Sequence, residues 1–456
     1  MMFAMQTWRQ VLAAVLTIAL GACASAPRDA GFSTVKQTVD EQSGQGVRWT
    51  ALEGDTAAAD TQALLERPLA ADDAVRVALL TNQSLQASFE SLGIARGDLI
   101  EASTFANPSL EARVRWSSHT STANPEIALM FDVTDLLRRG KRKTVATANL
   151  ERVIFETSDA VLRLAADVRR VYFELQAAEH IRRMRREVLT AVEAAEELAE
   201  RQRAVGNINT LALAMEQGAL QEARLELGRS ESDALLARLE LGRVMGLVPS
   251  DTMWTLTDGL PSLPDEDPRV EELEALALEN RLDLRAARKA IDAAQSEISY
   301  RKWFFIPSLE LGVDAERDFD HDWAVGPAIQ LSLPLFDRGQ GGVERARASL
   351  RQAQHDAAAT RNDVRHDVRA AHRRLQTARS AVDIYRESLV PIRERIVAES
   401  QKHYNFMLIG TVTLLQAKRD EIDAYSSYIA AVRDYWVARS DLERAVAARL
   451  IPAETP

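Results

Sequence analysis

"PSLEARVRW", residues 108–116, puts Leu110, Ala112, Val114 and Trp116 on one side of an extended chain and Glu111, Arg113 and Arg115 on the other. That period-two alternation makes a strand with one apolar and one wet face. The chain repeats it 199 positions later (108 to 307) as "PSLELGVDAE", with Leu309, Leu311, Val313 and Ala315 alternating against Glu310, Asp314 and Glu316. A second alternating run follows each: Ile127, Leu129, Phe131 and Val133 within 126–136, then Val325, Ile329, Leu331 and Leu333. A lone alternating strand most simply packs half-buried on a soluble core. Here each run has the ~9–11 residues of a tilted membrane strand. Trp116, Trp303, Phe304, Phe305, Trp323 and Phe336 stand at or near the strand ends, where membrane strands carry aromatic girdles.

The duplication runs well beyond the strands. "LLRRGKRK" around Gly140 matches "LFDRGQGG" around Gly339, again 199 apart, and "NQSLQASFESLGIA" from Asn82 resembles "NRLDLRAARKAIDAA" from Asn280. "VGNINTLAL" around Gly206 aligns with "IGTVTLLQA" around Gly410 at an offset of 204, which predicts about five extra residues in the second copy, near Pro391. Each copy reads helix, strand, strand, helix, helix. Residues 141–205 hold no Gly or Pro, and Val161, Leu164, Val168, Val171, Leu175 and Ala178 recur at steps of mostly three and four. This is close to a coiled-coil seam, on a rod of about 100 Å. Its counterpart, 343–409, is broken only by Pro391. Shorter helices are expected at about 70–104, 207–246, 268–303 and 411–449.

The segments then divide as a signal (1–22), an arm without firm pattern (23–67), a first repeat (68–246), a Pro-rich linker (247–267), a second repeat (268–450) and a tail (451–456). The leader has Arg9, an apolar run from Val11 to Leu20 and "LGAC" ending at Cys23, the chain's one cysteine. The apolar run is too short to span a bilayer, so it reads as an export signal. "LGAC" resembles a bacterial lipoprotein signal, with Cys23 the acylated residue and Ala24 implying delivery to the outer membrane; an ordinary signal with a chance cysteine is the alternative. No later stretch reaches the ~18–20 continuous apolar residues of a membrane helix.

In lipid every backbone group must be paired, so an open four-stranded sheet is forbidden, and four strands are too few for a barrel, which starts at about eight. Several copies must therefore close one barrel around an axis, with Glu111, Arg113, Arg115, Glu310, Asp314 and Glu316 facing a wet lumen.

The strand entries at Pro108 and Pro307, the turns at Gly140 and Gly339 and the apices at Gly206 and Gly410 together resemble the TolC family of outer-membrane efflux proteins, over about residues 68–450. The fold class implied is mainly α with a membrane β-barrel: a homotrimer with four strands per chain, a twelve-stranded barrel in outer-membrane lipid and a helical barrel in the periplasm. The resemblance also implies partners, a periplasmic adaptor protein and an inner-membrane pump, with the lipoprotein signal pointing to the resistance-nodulation-division type. Adaptor contacts carry over to Val205, Gly206 and Asn207 and to Ile409, Gly410 and Thr411. Relatives often place an acidic gate six residues past the apex glycine; here those positions are Ala212 and Gln416. Glu216 and Asp420, ten past each glycine, are the nearest paired acids and the candidate gate ring, against a plain reading as solvated helix-surface acids.

Other classes fit less well. A net charge of −11 with interspersed basic residues argues against nucleic acid. The seven histidines show no HExxH spacing and "GQGG" lacks the Lys of a phosphate loop, so no enzyme, metal or cofactor is expected. The rivals are a periplasmic coiled-coil adaptor or structural lipoprotein and, among ducts, a type I protein-secretion channel. The identity of the exported substrate is not written in these residues.

Overall fold

The computed structural model describes residues 28–50, 57–116, 123–249, 254–317 and 322–450; Cys23 lies outside them. In chain order the elements are α1 (Phe32–Ser43), α2 (Ala57–Leu65), α3 (Ala71–Thr81), α4 (Gln83–Ser103), β1 (Ser109–Trp116), β2 (Ala123–Asp132), α5 (Val133–Ala204) and α6 (Thr210–Met245). There follow α7 (Val270–Asn280), α8 (Leu282–Arg301), a 3₁₀ turn (Lys302–Phe305), β3 (Ser308–Arg317), β4 (Trp323–Ser332), α9 (Gln340–Ile384), a π turn (Tyr385–Leu389), α10 (Val390–Asn405) and α11 (Thr411–Val446). Among the described residues no helix is long and apolar enough to cross a membrane.

Two compact units each draw on both sequence copies. Of the described residues, one holds Arg28–Val35, Phe89–Thr157 and Asp283–Thr360; the other holds Lys36–Ser88, Ser158–Leu282 and Arg361–Leu450.

The first unit contains the antiparallel sheet β1-β2-β3-β4. The Thr134 hydroxyl locks β3 to the start of α5, accepting from Leu309 N–H (2.7 Å) and donating to Pro307 O (3.3 Å). Arg138 donates to the carbonyls of Trp303 and Ile306 and lies 4.6 Å over the Phe304 ring.

The second unit is built on the part of α5 from Ser158 to Ala204, in a helix 72 residues long in all. Val161, Val168, Val171 and Leu175 are buried along its seam. From Trp254 onward the inter-repeat linker is pinned to this helical layer by polar groups. Tyr172 O–H shares a hydrogen bond with Thr257 Oγ1 at 2.8 Å, Gln176 Nε2 donates to Gly259 O at 2.6 Å and Trp436 Nε1 to Pro261 O at 3.0 Å, while Trp436 stacks on Phe173. The linker Asp267 takes a forked pair from Arg379 (2.6 and 3.1 Å) and an O–H from Tyr435 (2.8 Å).

Several boundaries depart from the sequence reading. The arm forms two helices: Asp29 caps α1 through Ser33 N–H (3.0 Å), and the spacing of buried Phe32, Val35 and Val39 supplies its apolar stripe. The helix expected over 70–104 breaks at Asn82, whose side chain accepts from Leu85 N–H and donates to Val244 O. β2 stops at Asp132 rather than near 136, because the Asp132 carboxylate accepts from Asp135 N–H at 2.9 Å and starts α5 there. Gly140 consequently lies inside α5 and makes no turn, whereas Gly339, at φ 78°, does.

The two copies also differ less in length than the glycine alignment implied. α6 and α11 each have 36 residues and begin 201 apart, at Thr210 and Thr411, so two residues are extra relative to the strands, not five. The π turn absorbs part of that excess. Val390 N–H reaches Tyr385 O, five residues back, widening the helix just where the Pro391 ring would clash with the carbonyl of Glu387.

Candidate functional site

The sheet register settles which residues share a face. Glu111 stands opposite Ala128 and Ala128 opposite Asp314; Arg113 faces Glu126 and Glu126 faces Glu316; Asp132 faces Glu310. Opposed residues in an antiparallel sheet point the same way, so Glu111, Arg113, Arg115, Glu310, Asp314 and Glu316 are brought onto one surface. They form a connected network there. Arg113 bonds Glu111 (2.6 Å), Arg115 bonds Glu126 (2.6 Å) and approaches Glu316 (3.4 Å), and Asn124 Nδ2 donates to Glu316 (2.9 Å). Glu126 and Asn124 belong to this surface although they were not among the candidate residues; Asn124 reads from sequence as part of a hairpin tip.

The opposite surface is apolar and uncovered among the described residues. Leu110, Leu129, Val313, Val325, Ile329 and Leu331 all expose 40% or more of their surface, Ile329 as much as 70%. A soluble monomer rarely tolerates a contiguous apolar patch of this extent. β1 and β4 are moreover edge strands with one open side each, the feature that soluble sheets blunt or cover.

The helical apices are the second candidate surface. After α5, Gly206 takes the left-handed conformation (φ 79°), with its N–H on Arg203 O and Asn207 N–H on Gln202 O. Asn209 then caps α6 through Ala212 N–H at 2.8 Å. In the other hairpin the equivalent left-handed residue is Met407 (φ 60°), with Leu408 N–H on His403 O, while Gly410 is the extended N-cap of α11. Gly206 and Gly410 thus occupy different slots of the turn, which is why the glycine alignment misplaced three residues. Val205 is exposed, as are Phe406, Met407 and Leu408. The sequence reading selected Ile409, Gly410 and Thr411 and left out the exposed Phe406, Met407 and Leu408. The run of three large apolar residues beside a helix end was the available signal.

The candidate gate acids are not equivalent positions either. At an offset of 201, Glu216 corresponds to Ala417 and Asp420 to Ala219. Asp420 is held by Arg393 (2.9 Å) and Gln416 (2.8 Å). Glu216 is 7% exposed, and its Oε2 has no hydrogen-bond partner among the described residues. It lines a cavity of about 330 Å³ with Val188, Val192, Leu415, Arg419 and Tyr425. Burial pushes its carboxyl above the usual range, opposed by the charge of Arg419. Among the described residues no group of three or more His, Cys, Asp or Glu is placed to hold a metal ion.

A family model described as "Outer membrane efflux protein" matches residues 273–448. Cobalt-zinc-cadmium resistance protein CzcC of Cupriavidus metallidurans is 23% identical over 387 residues, covering 83% of this chain and 90% of the relative. Over residues 273–448 the chain is similar to the outer membrane efflux protein family. A second relative, the probable outer membrane lipoprotein SilC of Salmonella typhimurium, is 27% identical over 230 residues, covering 47% of this chain and 49% of SilC. The crystal structure of the CmeC outer membrane channel of Campylobacter jejuni superposes with a TM-score of 0.71 at 15% identity, over 83% of this chain and 85% of that one. That likeness shows the fold. The efflux-protein match falls on the second sequence copy; the first carries the same element order in residues the match leaves out.

Proposed function

We propose that this protein is the outer-membrane exit duct of a tripartite efflux system. Three copies each lend four strands to a twelve-stranded barrel, whose lumen is the Arg113–Glu126–Glu316 surface and whose outside is the Ile329 surface. The helices continue as a barrel in the periplasm, and an acylated Cys23 anchors each copy in the outer membrane. Transport through the duct is passive. Energy and selection lie in an inner-membrane pump of the resistance-nodulation-division type, joined through a periplasmic adaptor that meets the helical apices at Val205–Asn207 and at 406–411.

One observation carries this reading: a sheet with an uncovered apolar face, a charged opposite face and two free edges. In hydrocarbon, those edges must be paired. The neighbouring copy's edge is the partner of matching length, and a ring closed in this way has wet residues only inside. A periplasmic adaptor or structural lipoprotein has no use for such a face, which disfavours that rival.

The names CzcC and SilC belong to those relatives, and the cobalt, zinc and cadmium of the first do not transfer as cargo of this chain. As to the gate, six equal carboxylates are not what the environments favour: Asp420 is neutralised by Arg393 and Glu216 is withdrawn into its cavity. Asp420 is the acid we place nearest the conducting path.

The test is reconstitution. Purified protein added to a planar lipid bilayer is expected to give stepwise conductance and to migrate as a heat-modifiable trimer from detergent. A monomer that stays in solution without detergent and gives no conductance refutes the duct.

A further inference from the structure

The end of the sheet where the strands meet the helices carries a charge opposite to that of the chain. β1 begins at Ser109, β2 ends at Asp132, β3 begins at Ser308 and β4 ends at Ser332, and the register pairs Ser109 with Met130, Asp132 with Glu310 and Ser308 with Ser332. All four junctions therefore lie at one end of the sheet, within one compact unit. The flanking segments 101–108, 133–147, 297–307 and 333–347 hold ten Lys and Arg against five Asp and Glu, in a chain whose net charge is −11.

The basic residues here divide into two sets. Arg142 pairs with Asp135, Arg301 with Glu297 and Arg347 with Glu344. Lys141, Lys143, Lys302, Arg338 and Arg345 are exposed and have no ion-pair partner among the described residues. Arg138 and Arg139 donate to backbone carbonyls and lie over the Phe304 and Phe105 rings, and neither meets a carboxylate among the described residues.

Beside these cations stand exposed Leu136, Leu137, Phe305, Leu335 and Phe336, the last 93% exposed. Apolar side chains next to long cationic ones suit the boundary between acyl chains and headgroups, where Lys and Arg reach outward while their stems stay in apolar surroundings.

From this we infer that the strand–helix junction is a binding collar for anionic glycerophospholipid. Lys141, Lys143 and Arg338 hold the headgroup phosphodiester, and Leu136, Leu137 and Phe336 lie against the acyl chains. The inference rests on the duct reading, which sets the sheet in a bilayer. It adds that the adjoining leaflet is read chemically, by charge, and is not mere filler. The collar would recruit anionic lipid around each copy and fix the depth at which the barrel sits.

Native mass spectrometry of the full-length protein, released from micelles with equal phosphatidylglycerol and phosphatidylcholine of matched chains, tests it. The wild type is expected to retain phosphatidylglycerol preferentially. A variant with Lys141→Gln, Lys143→Gln and Arg338→Gln should lose that preference by about fivefold for each cation removed. Lys141→Arg with Lys143→Arg should keep it. No preference in the wild type, or an undiminished one in the Gln variant, overturns the collar. Release of the lipid by excess inorganic phosphate also overturns it, because the site would then be one for free phosphate. Insertion into pure phosphatidylcholine vesicles separates the two levels. Insertion without lipid preference defeats the collar alone, and failure to insert into any vesicle defeats the duct.

Discussion

Gly246 and Ala447 end the two return helices in the same left-handed conformation, 201 positions apart, with φ of 78° and 53°. Their surroundings differ. A Cβ on Gly246 would lie 2.8 Å from Asn82 Cα and 2.9 Å from Thr81 O, where the α3–α4 junction docks on the end of α6. Gly246→Ala therefore meets both the left-handed penalty of about 1–2 kcal/mol and a backbone clash that only a shift of α3 can relieve. We expect a loss of more than about 2 kcal/mol, read as a clear fall in thermal midpoint. Ala447→Gly removes the conformational penalty but gives up a buried methyl and adds unfolded-state freedom, each near 1 kcal/mol. It should fall within about 1 kcal/mol of wild type. Equal effects at the two sites would show that the clash is not the deciding factor.

The apolar sheet face makes a sharper prediction. On a solvated surface Ile329→Arg is worth within about 0.5 kcal/mol either way. At the lipid face of a membrane barrel it costs about 2–4 kcal/mol near the midplane. Urea unfolding of the reconstituted protein, against the same change at Gln330 on the wet face, distinguishes these. Ile329→Arg should destabilise strongly and Gln330→Arg little; comparable small effects would place the sheet in water.

Much of this architecture is legible in the sequence because two periods, two and about 3.6, separate strands from helices without reference to anything distant. The alternation at Leu110–Trp116 and the Gly-free seam at Val161–Leu175 are such local signals. The polar surface was legible for the same reason, and Arg113 and Glu316 fell on it from parity alone. What parity cannot supply is pairing: that Asn124 reaches Glu316 depends on a register between strands 192 positions apart. At the apices, matching Gly206 to Gly410 set the register three residues off, because the left-handed slot equivalent to Gly206 is held by Met407.

Met407 is 93% exposed in a conformation that costs a non-glycine residue about 1–2 kcal/mol. Folding alone would favour glycine there, which fits the adaptor contact proposed for this turn. Met407→Gly should leave the thermal midpoint unchanged or raised, while lowering efflux when the variant replaces wild type beside its adaptor and pump, as read by intracellular accumulation of exported substrate. Phe406→Ser, a change at a neighbouring exposed site, should act in the same direction. Full efflux by both variants would remove this turn from the adaptor contact.

Glu216 yields a pH prediction whose sign follows from its environment. Burial raises the carboxyl above its ordinary value of 4.5, with Arg419 opposing, so the folded chain holds this proton over a window above pH 4.5 in which the unfolded chain has released it. The folded state binds more protons there, and stability falls as pH rises through the window. Its contribution is fully present below pH 4.5 and is lost above the folded value. Glu216→Gln keeps the shape and the cavity but not the titration. The variant should therefore be more stable than wild type at pH 7, with the advantage shrinking on acidification and vanishing below about pH 4.5. Other buried acids that titrate in the same direction, Glu443 and Asp441, cancel in the difference between the two proteins if they act independently. Thermal midpoints of both proteins from pH 4 to pH 8 decide it. A constant difference across that range would mean that Glu216 meets a partner in the assembled duct and is charged throughout.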